Sequence, residues 1–263
     1  MKTGISTASL FPSEQTEDAL AYLNRNGVKT AEVFLESFCD YNENFGKILS
    51  GVKGETEIHS IHALTTQYEP QLYSVNGRAR ADSFSILEGV MQAGEAVGAK
   101  HYTFHGLARL KKTPYVINYE KVAKDTREIM DVCERHGITL AYENVEWCYY
   151  NYIGFFDEVR KRVGGLKGTL DIKQARRSGI FYGDFIDEMK GDIVTVHLSD
   201  VNSDGKMCLP GKGETDFLDL FKRLRDVGFD GALLIEAYRN DYGEYKELFD
   251  SLEFVKETAD KVF

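Results

Sequence analysis

Seven side chains of metal-binding type recur along this chain at intervals of one structural unit: Glu32, His62, His105, Glu143, Asp171, His197 and Glu236. The steps between them are 30, 43, 38, 28, 26 and 39 residues. Each closes a strand-like stretch. "ITLAYENVEW" (138–147) shows the pattern: an alternation suited to a half-buried strand runs straight into Glu143 and Asn144. A buried carboxylate is costly unless it is paired, hydrogen-bonded or bound to a cation. Taken singly, a histidine at a strand end is more often structural and a glutamate more often a solvated charge. Seven in register are different, and a divalent cation is the most economical account of Glu143, Asp171 and Glu236 converging with His197. Mixed carboxylate and imidazole ligands suit Mn²⁺, Zn²⁺, Co²⁺ or Fe²⁺ better than Ca²⁺.

The elements that must position these residues are written in a repeated punctuation. "NGVKTAEVF", "VGAKHYTFH", "HGITLAYEN", "VGGLKGTLD" and "VGFDGALLIE" each follow a helix-like segment, supply a glycine, and run into a strand. Glycine after a helix is the residue that adopts a left-handed conformation without strain. The segments before and between them, such as "EKVAKDTREIMDVCERH" and "DFLDLFKRLRDV", carry apolar residues at helical spacing. Strands are expected near 3–8, 29–35, 58–63, 100–105, 138–143, 167–171, 193–198 and 232–236. Alternating strand and helix means a parallel sheet, and eight such units point to a single α/β domain over 1–263, a (β/α)₈ TIM barrel. The rival, a doubly wound open sheet, would usually carry a glycine-rich fingerprint after the first strand, and "STASLFP" has none.

Composition narrows the functions open to the chain. A formal charge of −10 argues against broad non-specific nucleic-acid binding. No apolar run approaches the roughly 18 residues of a membrane span. "MKTGISTASLFP" lacks the apolar core of a signal peptide, so a cytoplasmic location is expected. The four cysteines form no CxxC pair and read as ordinary thiols.

The runs "VHLSD", "LPGKGETDF" and "LLIEAY", with "YENV", "TLDIKQA" and "FHG", resemble the xylose-isomerase-like TIM barrels over nearly the whole chain. That superfamily includes sugar isomerases and epimerases, inosose-metabolism enzymes and endonuclease IV. The resemblance implies that Glu143, Asp171, His197 and Glu236 hold a divalent cation, and that Glu143 and Glu236 are the acid/base pair of a metal-dependent sugar isomerase or epimerase. It places His62 and His105 at a second metal, bridged by Glu143, or at substrate. One departure stands out: many members read D-x-x-H after the sixth strand, whereas Gln174 takes the histidine's place here. A third metal of the endonuclease kind has therefore lost its imidazoles.

Two other activities remain open under the resemblance: a lyase cleaving oxidised glycosides, or a dehydratase of inosose-like compounds, and an abasic-site nuclease. The expected partner is a small carbohydrate, neither nucleic acid nor membrane, and a homo-oligomer is left open. Lys173 and Gln174 are candidate substrate contacts, with Lys173 alternatively pairing a neighbouring acid. Trp147, with Tyr149 and Tyr150, would stack on a sugar face or pack under the barrel rim. Arg78, Arg80, Arg109, Lys111, Lys112, Lys173, Arg176 and Arg177 would favour an anionic sugar if they face the site, and are otherwise solvated helix starts.

Overall fold

The computed structural model describes residues 1–63, 68–109 and 116–263; Lys111 and Lys112 lie outside them. Ten strands occur in chain order: β1 (Lys2–Ser6), β2 (Thr30–Leu35), β3 (Glu57–Ala63), β4 (His101–Phe104), β5 (Thr139–Glu143), β6 (Lys167–Asp171), β7 (Ile193–Leu198), β8 (Asp200–Val201), β9 (Met207–Cys208) and β10 (Ala232–Ile235). Eight close a barrel in the order β1-β10-β7-β6-β5-β4-β3-β2, while β8 and β9 form a small hairpin beyond β7. Every barrel pairing is parallel. At least one helix lies between each consecutive pair of barrel strands, and a last helix, Tyr245–Asp260, follows β10. The eight expected strands are all present.

The glycine junctions work as expected. Gly98 and Gly137 have φ of 86° and 68°, where a side chain would strain the backbone. Gly4 has another reason for being glycine: a Cβ there would lie 1.9 Å from the Thr30 carbonyl oxygen, so β1 could not approach β2.

Helices bury one stripe each. In the helix Phe217–Asp226, Phe217, Leu220, Phe221 and Leu224 are buried, the i, i+3, i+4, i+7 set of an amphipathic helix. Each contributes roughly 1.5–3 kcal/mol by leaving water. On the strands, Leu140 and Tyr142 of β5 join this outer apolar layer, and alternation then turns Glu143 to the barrel axis.

The interior is unusually polar for a barrel of this kind, which branched aliphatic residues normally fill. Glu32 is fully buried and accepts hydrogen bonds from Ser6 (3.0 Å), Ser60 (2.8 Å) and Thr103 (2.8 Å). Lower in the barrel, His59 occupies a break in the β2–β3 register and meets Thr195 Oγ1 at 2.9 Å. Its ring lies 4.5 Å from that of His101.

Burial, then the nearby His101 and Lys2, push the His59 imidazole down to about 3, while burial and the lysines Lys2, Lys100 and Lys167 push His101 down to about 4. Both rings are thus neutral in the folded protein, whereas the unfolded chain protonates them near pH 6.5. Stability should fall as pH drops below about 6.5, by up to about 1.4 kcal/mol per pH unit for each ring, until the folded rings begin to take up protons. Urea unfolding across this range checks the slope. Imidazole NMR signals of His59 and His101 titrating at their ordinary pH in the folded protein would overturn it.

Candidate metal and substrate site

The exits of the strands assemble the site. Glu143 and Asp171 are the last residues of β5 and β6, His197 lies one residue before the end of β7, and Glu236 follows β10. One ligand atom from each of these four lies within 4.8 Å of the others. His62, near the end of β3, and His105, just past β4, bring their Nε2 atoms to 2.8 Å from each other. His105 Nε2 also stands 2.8 Å from Glu143 Oε2. The expected four-residue set and the expected histidine pair with Glu143 between them are therefore both brought together.

The chemistry of these donors fits a divalent cation. Asp171 Oδ2 and His62 Nδ1 are buried without a hydrogen bond. Orphaned buried acceptors of this kind call for a partner, and carboxylate oxygens with imidazole nitrogens are the donors that borderline divalent ions prefer. His197 is oriented for this role. Its Nδ1 faces Glu143 Oε1 (3.2 Å) and Glu236 Oε2 (3.4 Å), while its Nε2 lies 3.1 Å from Glu32 Oε1. A carboxylate on the far ring nitrogen fixes the tautomer of a ligating histidine. Sequence reasoning counted Glu32 in the register but gave it no partner.

The buried charges act on one another. Burial would raise both Glu32 and Glu143, yet the histidines around them hold each carboxyl below its ordinary value: His197 and His62 for Glu32, His105 and His197 for Glu143. Burial pushes Asp171 up to about 6, with Lys173 opposing and Glu236 and Glu143 adding to the rise. His197 is held well above its ordinary value against burial by Glu32 and Glu236.

A cavity of about 380 Å³ opens above these residues. Ala8, Phe11 and Phe34 form an apolar wall, and Trp147, Lys173 and Gln174 line it as expected of substrate contacts. Trp147 is 40% exposed and meets the His105 ring edge-on at 5.4 Å. Tyr150, by contrast, packs under the rim against Phe155, Phe156 and Phe185. Lys173 pairs with Glu236 at 3.2 Å and also lines the cavity, so both of its expected roles meet in one place. Of the other proposed cations, those among the described residues do not converge there. Arg80 is taken by Asp125 and Glu128, and among the described residues Arg78, Arg109, Arg176 and Arg177 are not in the cavity wall.

Three positioning groups had no sequence signal. Glu69, in the turn Glu69–Tyr73, accepts from Tyr102 Oη (2.5 Å) and from the N–H groups of His105 (2.9 Å) and Gly106 (3.0 Å), pinning the exit of β4. Arg239 enters the cavity wall from the loop after β10. Asn144 clasps Asp171: its Nδ2 donates to the Asp171 carbonyl (2.9 Å) and its Oδ1 accepts from the Asp171 N–H (2.8 Å). Asn144→Ala should cost about 1–3 kcal/mol by stranding those two groups. It should also weaken metal binding by about 10–100-fold, the usual penalty for losing an outer partner of a ligand. Chelator competition measures the latter, and an unchanged affinity would show that β6 places Asp171 unaided.

Comparison with known proteins agrees with this fold. An uncharacterised protein of Methanocaldococcus jannaschii is 22% identical over 275 residues, covering 98% of this chain and 91% of that protein. In fold, the chain is similar to a D-tagatose 3-epimerase-like protein (TM-score 0.80, 19% identity, covering 100% of this chain and 98% of the other). It is also similar to an IolI protein with a bound zinc atom (TM-score 0.78, 18% identity, 100% and 99%). A third likeness is to 3-keto-D-glucoside 4-epimerase from E. coli (TM-score 0.75, 16% identity, 98% and 99%). Residues 20–258 match the family described as xylose isomerase-like TIM barrel, and the chain belongs to that family.

Proposed function

We propose that the protein is a metal-dependent isomerase or epimerase of a small sugar or sugar derivative, acting by proton transfer next to a carbonyl. The observation that carries this reading is the convergence of Glu143 and Glu236 with Asp171 and His197 at the floor of one cavity. Glu143, Asp171, His197 and Glu236 would hold the cation, and His62 and His105 with Glu143 would hold a second ion or contact substrate. A divalent ion so held supplies a Lewis acid for the charge that develops on substrate oxygens. Glu143 and Glu236 each keep a second carboxylate oxygen, and these are the groups to remove and return the proton. Phe11 and Phe34 give the cavity an apolar wall, and Trp147 at the mouth offers a face to the sugar ring. The epimerases among the similar folds, and the zinc of the IolI protein, support the same reading.

A panel of ketoses, aldoses, their phosphates and inosose-like compounds in deuterated buffer tests it. Solvent deuterium should enter the substrate at the carbon beside the carbonyl, seen by NMR before net turnover. Label that instead travels intact from carbon to carbon would replace proton transfer with a hydride shift. Cleavage of an oxidised glycoside without sugar exchange would favour the lyase chemistry.

A further inference from the structure

One strongly charged group of the cavity has no assigned work: Lys173. Its side chain is 2% exposed, with Nζ 3.2 Å from Glu236 Oε2 and 3.6 Å from Asp171 Oδ2. The ring centre of Tyr238 lies 4.3 Å away. Both carboxylates belong to the four-residue cation set, and Asp171 Oδ2 has no hydrogen bond of its own. The ammonium and a divalent ion therefore draw on the same two carboxylates. Like charges this close in a buried site repel strongly. A lysine stem is long and flexible, so the ammonium yields toward the cavity, where the Tyr238 face is its remaining partner. A buried ammonium needs an anion there.

The rest of the wall points the same way. The carboxylates lining the cavity are Glu143, Asp171 and Glu236, all in the cation set, whereas Lys173 and Arg239 line it together with the amides of Gln174 and Asn240. Arg239 donates to the Tyr242 carbonyl oxygen (2.9 Å) and stands over the rings of Tyr242 and Tyr245. Among the described residues it has no ion pair. Glu32 lies beneath, its oxygens already met by hydroxyls and His197. With the cation seated, this side of the pocket has, among the described residues, donors and positive charge but no spare carboxylate.

We propose that Lys173 is an anion subsite and a specificity residue: the substrate is a small sugar or sugar derivative bearing a carboxylate or phosphate, and Lys173 receives that group. The proposal rests on the isomerase reading and narrows its substrate class. It is tested by binding alone, with the unreactive set ribitol, ribonate and ribitol 5-phosphate titrated calorimetrically into metal-loaded protein. At least one anionic probe should bind about 10–100-fold more tightly than ribitol, the size of a charge-assisted hydrogen bond. Comparing ribonate with the phosphate decides which anion the site takes. Lys173→Met, loaded with metal and checked by elemental analysis, should bind the three probes alike, and Lys173→Arg should retain most of the preference. Equal binding of all three probes to wild type, or a preference that survives in Lys173→Met, would overturn the assignment. The titration needs no turnover. Preferred binding of an anion without proton exchange in any sugar would count against the isomerase reading and leave the subsite standing; exchange with neutral sugars and no anion preference would do the reverse.

Discussion

Asp171→Ala is expected to strip the protein of its cation and to leave turnover at background. The substitution removes an anionic ligand outright, so the loss of metal affinity should exceed the roughly 10–100-fold that follows loss of an outer partner. It also removes a helix cap, because Asp171 Oδ1 accepts from the Gln174 N–H at 2.9 Å, a contribution of about 1 kcal/mol. Asp171→Asn separates the two effects, since it keeps a capping oxygen and gives up the charge. Elemental analysis after dialysis should find both variants depleted, with the asparagine form the more stable to heat. Wild-type metal content in Asp171→Ala would remove Asp171 from the ligand set and reopen the assignment of all four residues.

Glu143→Gln and Glu236→Gln should each slow turnover by at least the roughly 10²-fold that general acid–base catalysis supplies. Glutamine keeps the shape and one ligating oxygen but cannot accept the proton. The two variants should also differ from one another. If the carboxylates serve opposite faces of the substrate carbon, each variant loses solvent exchange with one epimer before the other. If one carboxylate does both transfers, one variant loses exchange with both epimers and the other keeps it, and the acid/base pair fails. Isotope incorporation followed separately from each epimer distinguishes these outcomes. Wild-type turnover in either variant, at full metal content, would sink the acid/base pair.

The barrel was legible because its repeated demand is local. A chain leaving a helix for a strand needs a left-handed residue, and Gly98 and Gly137 are read directly as that junction. The candidate ligands were legible because seven of the eight barrel strands end in such a residue, so spacing alone placed Glu143, Asp171, His197 and Glu236 at one end of the ring. What escaped depends on contacts between distant turns. Asn144 reads as one more polar residue after a strand until the Asp171 backbone lies beside it. Glu69 takes its meaning from the N–H groups of His105 and Gly106, which no spacing rule connects to it. Arg80 and Arg239 look alike in sequence, but helix packing hands the first to Asp125 and Glu128, and the loop after the last barrel strand carries the second to the cavity. Composition could count the cations without saying which of them face inward.

The buried Glu32 carboxylate has a further consequence for how the site is built. Its hydroxyl partners come from β1, β3 and β4, and it stands on β2. The histidine it orients is on β7, and the other members of the cation set lie on β5, β6 and β10. The first half of the barrel thus supplies this support and the histidine pair, and the second half supplies the four residues of the proposed cation set. Neither half made alone contains a finished site, however well its strands pair. Two fragments divided at Gly137 would each be inert, and cation binding would return only when they associate and close the ring.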